Sequence, residues 1–277
     1  MRSVIAEKIG LRTEPVGVWW APEAPEGAVG FRPGRWGCVM WLAAAAARGR
    51  TAAVARDRFG CFGGGVGLGF GDQYRNFPGG PECFCRFLST GNASSAEGRA
   101  VAEGLRPHMR PEALDEFLEG ERYLASPEVV RAFVARLPIT DTGAGAVVFR
   151  PLSAVGEDEP PPEVVVFFAD PDQVAALSVL ANYRGPDNER VIAPFAAGCQ
   201  AIGIYPYREA HAEHPRAVLG LLDLSARLQV RRSLGERVLS FAMPYPLFRR
   251  MEADAPGSFL DRPVWRALRG GRSGEPG

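Results

Sequence analysis

Between Phe59 and Gly71 the chain reads Phe-Gly-Cys-Phe-Gly-Gly-Gly-Val-Gly-Leu-Gly-Phe-Gly, so that seven of thirteen residues are glycine and one thiol, Cys61, stands near the start. A backbone without Cβ atoms turns freely into positive φ and lets another group come into direct contact with it. That freedom constrains the fold, because the segment is expected to lie, as a glycine-rich loop, against a ligand, a metal or a second backbone. A tight turn between closely packed backbones satisfies the same pattern. A phosphate loop is a poor match, since no lysine follows the glycines and Lys8 is the only lysine in the chain. The resemblance of Gly63-Gly64-Gly65-Val66-Gly67 to a dinucleotide fingerprint is loose, and Arg56, Asp57 and Arg58 precede it where a buried strand is required.

The rest of the chain can supply a core around this run. Of 277 residues 46% are apolar, enough for one large or two modest globular units. Lys+Arg and Asp+Glu both number 32, which leaves no net field to hold nucleic acid or an anionic membrane. Arg2, Glu7, Lys8, Arg12 and Glu14 interrupt the N-terminal segment, so neither a secretory signal nor an anchor is visible there. The longest uncharged apolar run, Cys38 to Ala47, is about half of the roughly 20 residues needed to span a bilayer. These features point to a cytoplasmic protein without nucleic-acid or membrane partners, in which Cys38, Cys61, Cys83, Cys85 and Cys199 serve as free thiols, metal ligands or redox centres.

Local pattern divides the chain into strands and helices. Val16–Ala21, Ala146–Arg150, Val164–Ala169 and Val238–Met243 are short apolar runs rich in β-formers. Helices are expected over Val39–Ala47, from a start within 93–97 with Ser94 or Ser95 as cap to Gly104, and over Pro111–Glu121, Ser126–Arg136, Gln173–Tyr183, Ala217–Ala226 and Pro246–Ala253. In two of them Ser126-Pro127 and Asp170-Pro171 supply a cap and a first-turn proline, with Val129, Val130, Phe133 and Val134, and Val174, Leu177, Val179 and Leu180, read as the apolar faces. The acidic, proline-rich stretch 156–162 reads as an exposed loop and 270–277 as a disordered tail. The expected fold is α/β, with a mixed α+β arrangement as its variant: one compact domain over residues 1–269 with a central mixed sheet flanked by helices. Gly37-Cys38 and Gly198-Cys199 each follow an apolar strand, a faint sign of internal duplication.

Laid out in order, these residues resemble an uncharacterised prokaryotic family, domain of unknown function 169, also labelled ArCR. The resemblance runs from about Val4 to Leu260 and rests on several short motifs. They are Pro15-Val16-Gly17-Val18, Cys38 before its alanine-rich helix, Cys61 with the following glycines, and Phe87-Leu88-Ser89-Thr90-Gly91. Val164–Phe168 with Asp170-Pro171, Gly198-Cys199 and Met243-Pro244-Tyr245 complete them. Cys38, Cys61 and Cys199 fall at family-like places, whereas the Cys83/Cys85 pair does not belong to the pattern. The family name implies no reaction.

Thiolates are preferred donors for structural zinc and for iron–sulfur clusters, which commonly take four ligands. Cys38, Cys61 and Cys199, with Cys83 or Cys85 as the fourth, are therefore candidate ligands of a metal ion or cluster, and the amides of Gly63, Gly64, Gly65 and Gly67 are candidates to contact it. The role would be redox or sensing. The spacings lack any Cys-x-x-Cys pair, and buried cysteines are often ordinary core residues, so the alternative is a pocket for a small anionic or aromatic ligand with the thiols only packing. Cys61 as a nucleophile would lack an evident base, because His108, His211 and His214 are the only histidines and His211-Ala212-Glu213-His214 lies in a polar segment.

Overall fold

Val164–Ala169 is apolar at every position, and because strand side chains alternate between faces, such a run demands cover on both sides. In the computed structural model, which describes residues 1–186 and 188–270, that demand is met. The strands are β1 (Val16–Ala21), β2 (Ala52–Ala55), β3 (Ala146–Pro151), β4 (Val164–Ala169), β5 (Val191–Ile192), β6 (Ala217–Gly220) and β7 (Leu239–Pro244). They form one seven-stranded mixed sheet in the order β2-β3-β1-β4-β7-β6-β5, in which only β5 and β6 run parallel. Val18 sits opposite Phe149 of β3 on one side and Val164 of β4 on the other, and Phe167 faces Phe241 of β7.

Val164, Val166 and Phe168 join one buried cluster with Val18, Phe149 and the alanine-rich helix Val39–Ala47. Val165, Phe167 and Ala169 join the other, under the helices Val4–Ile9, Pro171–Ala181 and Tyr245–Asp254. Burying Phe167 completely is worth about 1.5–3 kcal/mol, and the two clusters repeat that gain on each face. The helix Pro171–Ala181 starts where the sequence marks it: Asp170 accepts from the Gln173 amide at 3.0 Å and the Gln173 side chain accepts from the Asp170 amide at 2.9 Å. Gln173 then donates to the carbonyls of Ile9 and Gly10 at 3.3 and 2.9 Å, tying the first helix to this one. The stretch 156–162 connects β3 to β4, and Glu159 accepts there from Arg150 and from the Gly156 amide.

The described chain packs as two compact units, residues 1–70 with 140–270 and residues 71–139. The second is helical: Gly80–Phe87, Ala96–Leu105, Pro111–Glu119 and Pro127–Val134 enclose Cys83, Ala102, Leu114 and Phe117, and Tyr74 stacks on Phe84 at 4.1 Å between ring centres. Ser95 and Ser126 cap two of these helices through the amides of Gly98 and Val129. In the first unit the chain leaves and returns side by side, since Phe70 bridges Asp141 and the Thr142 amide donates to the Gly69 carbonyl at 2.9 Å.

The α/β class with a helix-flanked mixed sheet is as expected, but several local readings change. Ala217–Ala226 is not a helix: Ala217–Gly220 pairs between β5 and β7, and the helix begins later, at Leu224. Short apolar runs serve either state, and here the free sheet edge decided. Within the glycine run, expected as a loop, Phe62–Gly67 is helical. Val129 and Val179, read as inward, are 45% and 52% exposed. Of the tail expected over 270–277, all but Gly270 lies outside the described residues.

Candidate functional site

Three of the five cysteines stand at the beginnings of helices in the first unit. Cys38 precedes the helix Val39–Ala47, Cys61 is the cap of Phe62–Gly67, and Cys199 is the second residue of Gly198–Ile202. Cys61 has the extended backbone of a cap, and its sulfur accepts from the Gly64 amide at 3.2 Å. The Cys199 thiol donates to the Gly63 carbonyl at 3.2 Å. The Gly37 amide donates to the Gly60 carbonyl at 3.1 Å, which joins the residues just before Cys38 and Cys61.

The glycines set these approaches. A Cβ on Gly67 would come to 2.8 Å from the Cys199 sulfur and 2.9 Å from both its carbonyl carbon and the Gln200 nitrogen. A Cβ on Gly203 would overlap the Gly67 carbonyl oxygen. Gly60, at φ 78°, is left-handed, and a Cβ there would meet the Gly37 oxygen at 2.6 Å. The backbones of Phe62–Gly67 and Gly198–Ile202 therefore touch directly. Of the four glycines expected to contact a cofactor, Gly64 gives its amide to the Cys61 sulfur, Gly65 gives its amide to the Cys61 carbonyl, and Gly67 packs on Cys199. Gly63 contributes its carbonyl to the Cys199 thiol.

Burial raises the Cys38 thiol to about 12, against the pull of the Met40 and Trp41 amides, and the charges of Cys61 and Asp223 add to the rise. Burial likewise pushes Cys199 well above the ordinary thiol range, with Cys61, Cys38 and Asp223 contributing next. The three thiols and Asp223 thus share one electrostatic environment, in which any negative charge on one opposes charge on the others. Cys38 and Cys199 are therefore neutral at pH 7 and weak nucleophiles.

Asp223 escaped the sequence reading because the helix expected over 217–226 covered it. An Asp ahead of Leu-Ser-Ala-Arg-Leu is nonetheless a cap signal. In the structure it caps Leu224–Leu234 through the Ala226 amide at 2.6 Å and also accepts from the Gly198 amide. Its carboxyl is raised by burial, which outweighs the amides of Ala226 and Gly198.

An aromatic rim flanks the segments that carry the half-buried Cys38 and Cys61. Trp36, 64% exposed, lies 5.0 Å from the Phe62 ring centre, Phe59 lies 6.2 Å from it, and the Phe31 ring edge fills the space beside Gly37 and Gly60. Trp41 donates to the Gln229 carbonyl at 3.2 Å. Arg32 and Arg35 are exposed on the preceding loop.

The remaining candidates lie elsewhere. Cys83 belongs to the second unit, where it is buried among Ala102, Leu114 and Phe117 with the Arg86 guanidinium 4.0 Å from its sulfur. His211 packs on the Tyr207 ring at 4.6 Å, and His214 lines a cavity of about 430 Å³ with Glu189, Arg208, Glu209 and Arg216. Among the described residues, no three His, Cys, Asp or Glu side chains stand as a group that could hold a metal ion. Also among them, no helix is long and apolar enough to cross a membrane.

A model of the family described as uncharacterised ArCR, domain of unknown function 169, matches residues 4–254. No curated protein and no solved structure matches the chain.

Proposed function

The chain belongs to the ArCR family of unknown function, and we propose that it binds a soft metal centre, an iron–sulfur cluster, through Cys38, Cys61 and Cys199, in a redox or sensing role in the reducing cytoplasm. What supports this reading is that Cys38, Cys61 and Cys199 each stand at a helix start, that the Cys199 thiol donates to the Gly63 carbonyl, and that the Gly37 amide donates to the Gly60 carbonyl between the segments of Cys38 and Cys61. Soft sulfur donors select iron–sulfur clusters, zinc or copper(I) over hard cations. The Gly64 amide already donates to the Cys61 sulfur, the kind of contact that tunes a cluster's potential.

A second reading draws on the aromatic rim. Trp36 and Phe62 offer a flat apolar surface to a small aromatic ligand, with the thiols as packing beneath it. Anaerobic purification separates the two. The cluster reading expects brown protein with iron and sulfide in near-equal amounts, and loss of both in C61S and C199S. Colourless, metal-free protein that stays folded after reconstitution with ferrous iron and sulfide refutes it and leaves the rim.

A further inference from the structure

We propose that the cavity beside the β5–β6 edge of the sheet binds a small molecule through a phosphate or carboxylate group, with Arg208 and Arg216 as the binding residues and Glu209 as the residue that positions them. This site is separate from the thiols. β5 and β6 run parallel, and the Ala217 amide donates to the Arg190 carbonyl at 2.8 Å, so the segments that lead into the two strands, with Glu189 and Arg216, lie side by side. The helix Ile204–Ala210 brings Arg208 and Glu209 to the same place. With Ala212 and His214 these residues line about 430 Å³, inside the range of roughly 300–1,000 Å³ usual for small-molecule pockets.

The arginines are held in place before any ligand arrives. Glu209, its side chain 2% exposed, accepts a two-point bond from Arg216, Nε to Oε2 and Nη2 to Oε1, both at 3.0 Å. It also accepts from the Arg216 amide at 3.3 Å and from Arg208 Nη2 at 3.0 Å. The Arg208 guanidinium lies over the Tyr205 ring, 5.2 Å from its centre, which fixes its plane. Apolar packing would serve stability as well as a buried ion pair does, so what the carboxylate supplies here is orientation. Two positive charges are set against one negative in this trio. Among the described residues Arg208 spends only Nη2 on a hydrogen bond, and its side chain is 46% exposed, so further donors of its planar fork remain for an oxyanion. Glu189 on the wall is an acceptor suited to a hydroxyl or ammonium elsewhere on the same ligand.

Calorimetric titration of the full chain with inorganic phosphate and, separately, with succinate tests the site. Saturable one-site binding is expected, and the tighter probe tells whether the natural group is phosphate or carboxylate. R208Q is expected to weaken that binding about tenfold, the low end for a hydrogen bond to a charged group. E189Q is expected to tighten it about twofold by removing a negative charge from the wall, which a merely structural ion pair would not do. R232Q, at an exposed arginine outside the cavity, is expected to leave it unchanged. In the wild type, nuclear magnetic resonance titration should shift the Nε–H signals of Arg208 and Arg216 over the same concentrations, a readout that needs no variant to fold. No saturable binding of either probe, equal weakening in R208Q and R232Q, or shifts confined to other arginines overturns the site.

Discussion

Replacing Gly67 by alanine tests the contact on which the thiol site depends. The added Cβ would stand 2.8 Å from the Cys199 sulfur and 2.9 Å from two backbone atoms, the Cys199 carbonyl carbon and the Gln200 nitrogen. Against an optimal separation of about 3.5 Å, these contacts are short by about 0.6–0.7 Å. A side-chain atom can turn away, but two backbone atoms can yield only if Phe62–Gly67 and Gly198–Ile202 move apart. Overpacking of this kind costs about 1–3 kcal/mol. Alanine returns at most about 1 kcal/mol in helix propensity, and less at Gly67, the last residue of its helix. The net loss is about 1–2 kcal/mol, or a melting temperature lower by about 2–4 °C for a chain of this size. Circular dichroism melts of G67A and of G104A make the comparison, since a Cβ on Gly104 meets nothing within 4 Å and is expected to be neutral or slightly stabilising. If G67A melts at or above the wild type, the two backbones do not touch as described. Adding C199A to G67A should recover only the sulfur share of the loss, because the backbone contacts remain.

Three further substitutions probe the rest of the unit. Burial pushes the Glu209 carboxyl up, but bonds from Arg216 and Arg208 outweigh it and hold it below the ordinary 4.5. With its side chain 2% exposed and its two partners partly in water, E209Q is expected to cost about 2–3 kcal/mol at pH 7 in denaturant melts. A carboxyl depressed on folding stabilises above its unfolded value, so the gap between wild type and E209Q should close as pH falls below 4.5, and a gap independent of pH would refute the pairing. D170A removes the cap of Pro171–Ala181 and should cost about 0.5–2 kcal/mol, with D170S recovering most of it. F167A opens a cavity between β4 and the helices over it and should cost about 3–5 kcal/mol by the same melts.

What the sequence disclosed depended on whether a residue's neighbours in the chain were also its partners in space. Val16–Ala21 and Val164–Ala169 were legible to the residue, because continuous apolar β-formers have one stable use, a central strand. The helix Pro171–Ala181 was legible because cap, first-turn proline and Gln173 all lie within four residues. Ala217–Gly220 was not, since its strand character comes from β7, with Leu219 opposite Phe241, and nothing within the tetrapeptide forbids a helix. That error displaced the next helix start and hid Asp223. Cys38, Cys61 and Cys199 could be singled out by type and by their glycine neighbours. Their places at helix starts beside one another required knowing that Gly198–Ile202 packs on Phe62–Gly67, a pairing across about half the chain.

The helix Phe62–Gly67 explains why glycine is dense there at all. Its sequence, FGGGVG, holds four glycines, each about 0.8–1 kcal/mol worse than alanine inside a helix, so the segment forgoes about 3–4 kcal/mol of intrinsic helicity. A segment needing only a helix would not have this composition, and one needing only flexibility would not be buried at Gly64, Gly65, Val66 and Gly67. Tertiary contact must supply the difference, and the contacts are specific: Gly67 against Cys199, the Gly67 carbonyl against Gly203, and Gly64 between Val39 and the Cys61 sulfur. Each brings a cysteine-bearing helix start to the glycine backbone at a distance a Cβ would deny. The glycines thus hold Cys61 and Cys199 on facing backbones. Alanine scanning of Gly64 and Gly67 should therefore alter iron uptake only to the extent that it separates those backbones.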